Sequence, residues 1–130
     1  MTDDGDFEPE AEEQMVKDEY VDFGSLKAKV RHFVRERDWE KYHNPKDLAV
    51  AISVEAAELL EHFLWEETAG GRIEGERAAA VREELADVVI YCLSFANAQR
   101  WDLSDAIMEK VERNRRKYPA REFKGVARLR

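Results

Sequence analysis

The sequence predicts an all-α protein built as a four-helix bundle. Three observations predict it. Apolar residues recur at three- and four-residue spacing along four separate stretches. Capping residues and prolines stand at the ends of those stretches: Ser25, Asn44-Pro45, Asp102 and Pro119. The composition, 44% hydrophobic and 38% charged, is the balance of amphipathic helices. A chain of 130 residues is enough for one domain with a modest core.

The elements follow in order. Residues 1–22 hold ten acids and one lysine, with few large apolar residues. That is the composition of an acidic, disordered or loosely helical tail. The helical domain is expected over 23–120. Its first helix runs from about Leu26 to Asp38, capped by Ser25, with Leu26, Val30, Phe33 and Val34 toward the core. An aromatic connection, Arg37-Asp38-Trp39-Glu40-Lys41-Tyr42-His43-Asn44-Pro45, leads to the second helix. Trp39 and His43 there can line a pocket, or Trp39 and Tyr42 can cover the bundle end. Asn44 caps the second helix and Pro45 fits its first turn. This helix is expected from about Lys46 to Glu67, stopped by Gly70-Gly71. The third runs from about Glu76 to Arg100, roughly 37 Å at the α-helical rise. The fourth runs from about Leu103 to Lys117, between the cap Asp102 and Pro119. Residues 121–130 read as a basic tail.

Composition narrows the function. The formal charge of −8 belongs to the first 22 residues; the remaining 108 carry nineteen acids and twenty bases. Nothing suggests a nucleic-acid groove, although residues 110–130, with nine bases and two acids, suit a small polyanion. The single cysteine, Cys92, lies in an apolar run and reads as a small core residue in a reducing compartment. No apolar run approaches transmembrane length, and the acidic start is unlike a signal peptide. A cytoplasmic protein with no membrane contact is expected.

The chemistry lies in two acidic pairs. Glu55-Ala56-Ala57-Glu58 and Glu84-Leu85-Ala86-Asp87 each place two carboxylates three residues apart within apolar surroundings. Three residues turn a helix by about 300°, so the acids of a pair share one face. Ala51 and His62 continue that face on the second helix, and Tyr91 continues it on the third. Ile52, Val54, Leu59, Leu60 and Phe63 surround the first pair; Val81, Leu85, Val88, Val89 and Leu93 surround the second. One such pair is ordinary helix surface. Two pairs bordering a core on antiparallel helices need compensation, because crowded carboxylates resist ionising. A hard divalent cation supplies it, and an all-oxygen site suits Mg²⁺ or Mn²⁺. Trp65, seven residues after Glu58, falls on the same side of a continuing helix. A di-iron bundle would need Glu-x-x-His, and position 59, three before His62, is Leu. No zinc spacing and no glycine-rich phosphate loop is present.

The acidic pairs, their spacing of twenty-five intervening residues and their flanks together resemble a known family. The chain is similar to the MazG-like, all-α nucleoside triphosphate pyrophosphohydrolases, and within them to the dCTP pyrophosphatase branch. That branch shares the run Arg37-Asp38-Trp39-Glu40-x-Tyr42-His43-x-Pro45 and the acidic helix ending in Phe63-Leu64-Trp65. It also shares Glu83-Glu84-Leu85-Ala86-Asp87-Val88-x-Ile90-Tyr91 and Asn114-Arg115-x-x-Tyr118-Pro119. The likeness covers about residues 25–120. It implies that Glu55, Glu58, Glu84 and Asp87 are the catalytic metal ligands. It implies that Trp39, Trp65 and Tyr91 contribute to a base and sugar pocket, and that Lys110 and Asn114 contact phosphates or sugar. His43 and Lys46 lie in a matching stretch and are carried over as substrate-binding. One place departs: the branch has a histidine nine residues before the tryptophan, where this chain has Val30, which leaves the base preference open. The implied reaction is Mg²⁺-dependent cleavage of a nucleoside triphosphate, dCTP or a modified pyrimidine deoxynucleotide, to monophosphate and pyrophosphate. The implied assembly is a homo-oligomer, a tetramer before a dimer. Three tryptophans and a long apolar third helix agree with it. The alternative is a nucleotide-binding or oligomerisation module of the same fold without turnover.

Overall fold

The computed structural model describes residues 17–66 and 71–126. From residue 23 on, the helices among the described residues are α1 (Phe23–Glu36), α2 (Pro45–Glu61), α3 (Gly75–Gln99), α4 (Leu103–Lys117) and the short α5 (Ala120–Phe123). A single 3-10 turn, Glu40–Tyr42, lies between α1 and α2. No strand occurs among the described residues. The all-α expectation holds.

Local chemistry sets most boundaries. The Asn44 side chain accepts a hydrogen bond from the Asp47 amide at 2.9 Å, and Asp102 does the same for Asp105 at 2.9 Å. Both are the expected caps, satisfying amide groups that have no helical partner. The α1 cap differs. Asp22, not Ser25, accepts the bond: the Ser25 amide donates to Asp22 Oδ1 at 2.7 Å, so the helix starts at Phe23. A charged acceptor facing the helix N-terminus draws the boundary back by one turn.

The end of α2 is a second correction. The helix was expected to reach Glu67 and ends at Glu61. Beyond it, the Phe63 amide bonds the Leu60 carbonyl at 2.9 Å and the Glu66 amide bonds the Phe63 carbonyl at 3.1 Å. These are three-residue bonds of a tightening turn, not helix continuation. Arg77, in the first turn of α3, donates to the His62 carbonyl at 2.9 Å and pairs with Glu66. The tightened turn therefore brings the end of α2 to the start of α3, and the two helices run antiparallel. Glu67 and Gly70 lie outside the described residues, as do residues 1–16 of the acidic tail and 127–130 of the basic one. Residues 17–20 are helical. In the basic segment, Tyr118 and Phe123 meet edge to face, centroids 5.3 Å apart, folding α5 back on the end of α4.

Helix α3 is the axis. It packs along α2 over most of its length and against α1 near its C-terminal end, while α4 touches the rest only marginally. The core is correspondingly small: Val34, Leu48, Val81, Leu93 and Ala96 are the buried apolar residues among those described. Several expected core residues are exposed, among them Phe33, Val54, Leu60, Leu85 and Val89. They face away from the α2–α3 seam. Two helices in contact bury one stripe each, and these helices carry apolar residues around more than one stripe.

Candidate metal centre

Glu55 and Glu58 lie one turn apart on α2, and Glu84 and Asp87 one turn apart on α3. The antiparallel packing sets the two pairs opposite each other. Glu55, Glu58 and Glu84 are half-buried, and each offers a carboxylate oxygen within 4.8 Å of the other two. Asp87 is exposed beside them and near enough to act on their charge.

The electrostatics of the cluster are those of crowded acids. Loss of water first, then Glu58 as hydrogen-bond partner and as like charge, then the charges of Asp87 and Glu84, push the Glu55 carboxyl above its ordinary value. Glu84 is pushed up by the same kinds of cause: loss of water, the Glu58 charge and its hydrogen bond, then Asp87. His62 opposes the shift. Glu58 therefore stands between the two others. Glu55 Oε2 and Glu84 Oε2 are closed off from water and have no hydrogen-bond partner among the described residues. A buried carboxylate oxygen without a donor is unstable alone. The donor set is hard oxygen only, from two facing helices, and it fits a hard divalent cation.

The other expected site residues are spread more widely. Tyr91 is half-buried one turn beyond Asp87 on α3. Trp39 is 45% exposed, its ring edge against Phe33 with centroids 5.8 Å apart, and its amide bonded to the Val34 carbonyl at 3.1 Å. His43 is half-buried and lines a cavity of about 190 Å³ between α1 and α3, with Arg31, Ser94 and Asn97. Lys46 lies nine residues before Glu55, two and a half turns, and so on the opposite face of α2. There it borders a groove with Val50, Val54 and Ala57. Trp65 sits in the turn after α2, 96% exposed, so it does not extend the face of Glu58 by helical spacing. Lys110 and Asn114 are exposed on α4.

Comparison with known proteins fits this geometry. The model of the MazG-like family matches residues 50–128, a span that holds all four acids. This chain belongs to the MazG-like family. It is 41% identical over 98 residues to dCTP pyrophosphatase 1 of Bos taurus, covering 73% of this chain and 58% of the relative. With the Homo sapiens protein of the same name it is 42% identical over 91 residues, covering 68% of this chain and 54% of the relative. The chain thus spans little more than half the length of these curated relatives. Among solved structures, a pyrophosphatase from Archaeoglobus fulgidus superposes with a TM-score of 0.63 at 42% identity, covering 74% of this chain and 91% of that one. The expected family and its all-α fold are both borne out.

A polar network joining α1 to the end of α3 has no signal in the sequence. The Arg31 guanidinium donates to Asn97 Oδ1 at 3.1 Å, and the Asn97 amide donates to the Lys27 carbonyl at 3.0 Å. These partners are 66 and 70 residues apart, and neither belongs to a motif.

Proposed function

We propose that the protein is a Mg²⁺-dependent nucleoside triphosphate pyrophosphohydrolase. It hydrolyses a pyrimidine deoxynucleoside triphosphate, dCTP or a modified form, between the α- and β-phosphates. The products are the nucleoside monophosphate and pyrophosphate. The observation that carries this reading is the meeting of Glu55, Glu58 and Glu84 across α2 and α3, with two oxygens left without donors. The names of the relatives supply the substrate class.

In this reading Glu55, Glu58, Glu84 and Asp87 hold the divalent cation. When bound, it supplies charge neutralisation to the phosphates and acidifies water. The protein does the rest. The Glu55–Glu58 pair accepts the proton of the attacking water. Trp39 and Tyr91 take the base and sugar. Lys110 brings a point charge to the phosphates, and Asn114 hydrogen-bonds beside it. His43 orients the loop wall of the pocket. Lys46 and Trp65, turned from the acids within one chain, serve a neighbouring site.

That last assignment requires an oligomer, a homotetramer in this reading. Exposed apolar residues on three helices support it: Val50 and Val54 on α2, Leu85, Val89 and Ile90 on α3, and Ile107, Met108 and Val111 on α4. Residues 23–120 form the catalytic domain. No described helix is long and apolar enough to cross a membrane, and the half-buried free thiol of Cys92 suits the cytoplasm.

The deciding experiment is incubation with Mg²⁺ and a panel of canonical and modified triphosphates, with products separated by chromatography. Monophosphate plus pyrophosphate, lost in Asp87→Ala, is expected. Diphosphate plus phosphate would place the cleavage elsewhere. Binding without turnover, with Mn²⁺ also tried, would make the protein a non-catalytic nucleotide-binding module.

A further inference from the structure

Away from the carboxylates, a cleft runs between α1 and the C-terminal end of α3. Its inner end is the cavity of about 190 Å³ that His43 lines; its outer part, about 540 Å³, opens toward Lys27, Arg100 and Trp101. Arg31 and Asn97 belong to both. The charges here are unbalanced. Arg35 is paired with Glu40 at 2.5 Å. Among the described residues, Lys27 donates only to the Trp101 carbonyl, at 2.6 Å, and Arg31 only to the Asn97 side chain. Arg100 has no side-chain partner among the described residues. Asp102 lines the outer part, but its Oδ1 caps α4. Three cations thus face one cleft with no carboxylate paired to them among the described residues, and their mutual repulsion favours an anion there.

Two further features point the same way. Arg100 ends α3 with φ 57° and ψ 39°, a left-handed conformation that glycine or asparagine adopts more readily. A long cation held at such a position is better explained by its charge than by the turn. Ser94 is 3% exposed, lines the inner cavity, and its hydroxyl has no hydrogen-bond partner among the described residues. That hydroxyl opens onto the cavity and can meet a polar atom from outside the protein.

We infer that this cleft binds a small phosphorylated anion, its phosphate against Lys27, Arg31 and Arg100 and its polar remainder directed toward Ser94. Guanidinium groups match phosphate geometry with paired donors. The Trp101 indole, 58% exposed at the mouth, offers a stacking face to a base. The site stands apart from the carboxylate cluster, which without a cation repels phosphate. Binding that is measured with metal withheld and lost in variants of the cleft arginines therefore reads the cleft, whatever reaction the acids perform.

The test is calorimetric titration of the full chain in EDTA with pyrophosphate and, separately, with deoxycytidine monophosphate. Saturable binding is expected, weakened about tenfold or more by Arg31→Gln and by Arg100→Gly. Glycine suits the left-handed backbone at position 100, so that variant keeps its fold, verified by circular dichroism. Equal affinity for the two anions would mean that phosphate alone is recognised. Tighter nucleotide binding, lost in Trp101→Ala, would mean that the indole reads the base. Either supports the site. No binding of either anion up to about 10 mM, or binding unchanged in both arginine variants, would overturn it.

Discussion

Glu55 and Glu84, on different helices, bring carboxylate oxygens within 4.8 Å of each other, and each holds one oxygen closed off from water with no donor among the described residues. Glu58 stands between them and helps to push both carboxyls above their ordinary value. Without a cation this arrangement opposes folding, and the helices hold it by packing around it. Removing one charge should therefore have opposite effects on stability and on chemistry. Glu84→Gln is expected to raise the melting temperature of the metal-free protein and to abolish the further rise that Mg²⁺ gives the parent. Activity should fall by about two orders of magnitude or more. Calorimetry with and without metal, beside a turnover assay, measures all three. A variant with a lower metal-free melting temperature would show that Glu84 is a structural acid.

The same crowding predicts a pH dependence. Glu55 and Glu84 hold their protons more tightly in the folded state than in the unfolded chain. Their contribution to stability is then fully present below the unfolded carboxylate value of 4.5. It is lost as pH rises through the raised folded values. Metal binding should strengthen over that rise, since ligation requires the ionised form. Other carboxylates titrate nearby, so the difference between parent and Glu55→Gln isolates the effect. The metal-free parent should lose melting temperature relative to that variant as pH increases from about 4.5 toward neutrality. Parallel curves would remove the electrostatic account.

These acids were legible from the sequence because helical spacing fixes which residues share a face, and two such faces on neighbouring helices have few ways to pack. The bounds of α3 and α4 were legible to within a residue for a similar reason: Asp102 and Pro119 act locally. The end of α2 was not. Phe63-Leu64-Trp65 continues an apolar pattern without a breaker, and the Arg77 bond that holds the His62 carbonyl at this turn comes from fifteen residues on. Apolar residues such as Val54 and Val89 were readable as needing cover, but periodicity does not distinguish cover by the same chain from cover by another.

Val89 tests that cover directly. It is 41% exposed on α3, so in a lone chain a glutamate there keeps the helix propensity and can reach solvent with its carboxylate. In an assembly that packs this face, Val89→Glu buries an unpaired charge. Light scattering should show the parent as a tetramer and the variant as a smaller species with unchanged helical content. A monomeric parent at micromolar concentration would refute the assembly and remove the neighbouring-site role given to Lys46 and Trp65.

Lys110 separates substrate binding from fold. It is exposed on α4 and forms no ion pair among the described residues. Lys110→Ala should leave the unfolding free energy within about 0.5 kcal/mol of the parent's, as for an ordinary surface change. If it meets the triphosphate, KM should rise about tenfold or more, the loss expected for one charged contact to phosphate. An unchanged KM would return it to the solvated surface.

Leu48 and Leu93 probe the scaffold that brings the acids together. Each is 2% exposed in a core of very few buried residues. Truncation to alanine leaves a cavity that neighbouring helices fill only in part, and a cost of about 2–5 kcal/mol is typical. In so small a core that is a large share of the total, so Leu93→Ala should unfold at markedly lower denaturant. Its effect on metal binding should follow from geometry. Leu93 lies nine residues past Glu84 on α3, two and a half turns, and loosening α3 there shifts the Glu84 carboxylate relative to Glu55. Saturating Mg²⁺ should restore part of the lost stability, because the cation binds only the folded arrangement. If Mg²⁺ stabilises Leu93→Ala by no measurable amount while stabilising the parent, the packing of α3 sets the site. If the two gain equally, the carboxylates hold their own geometry once the helices have met.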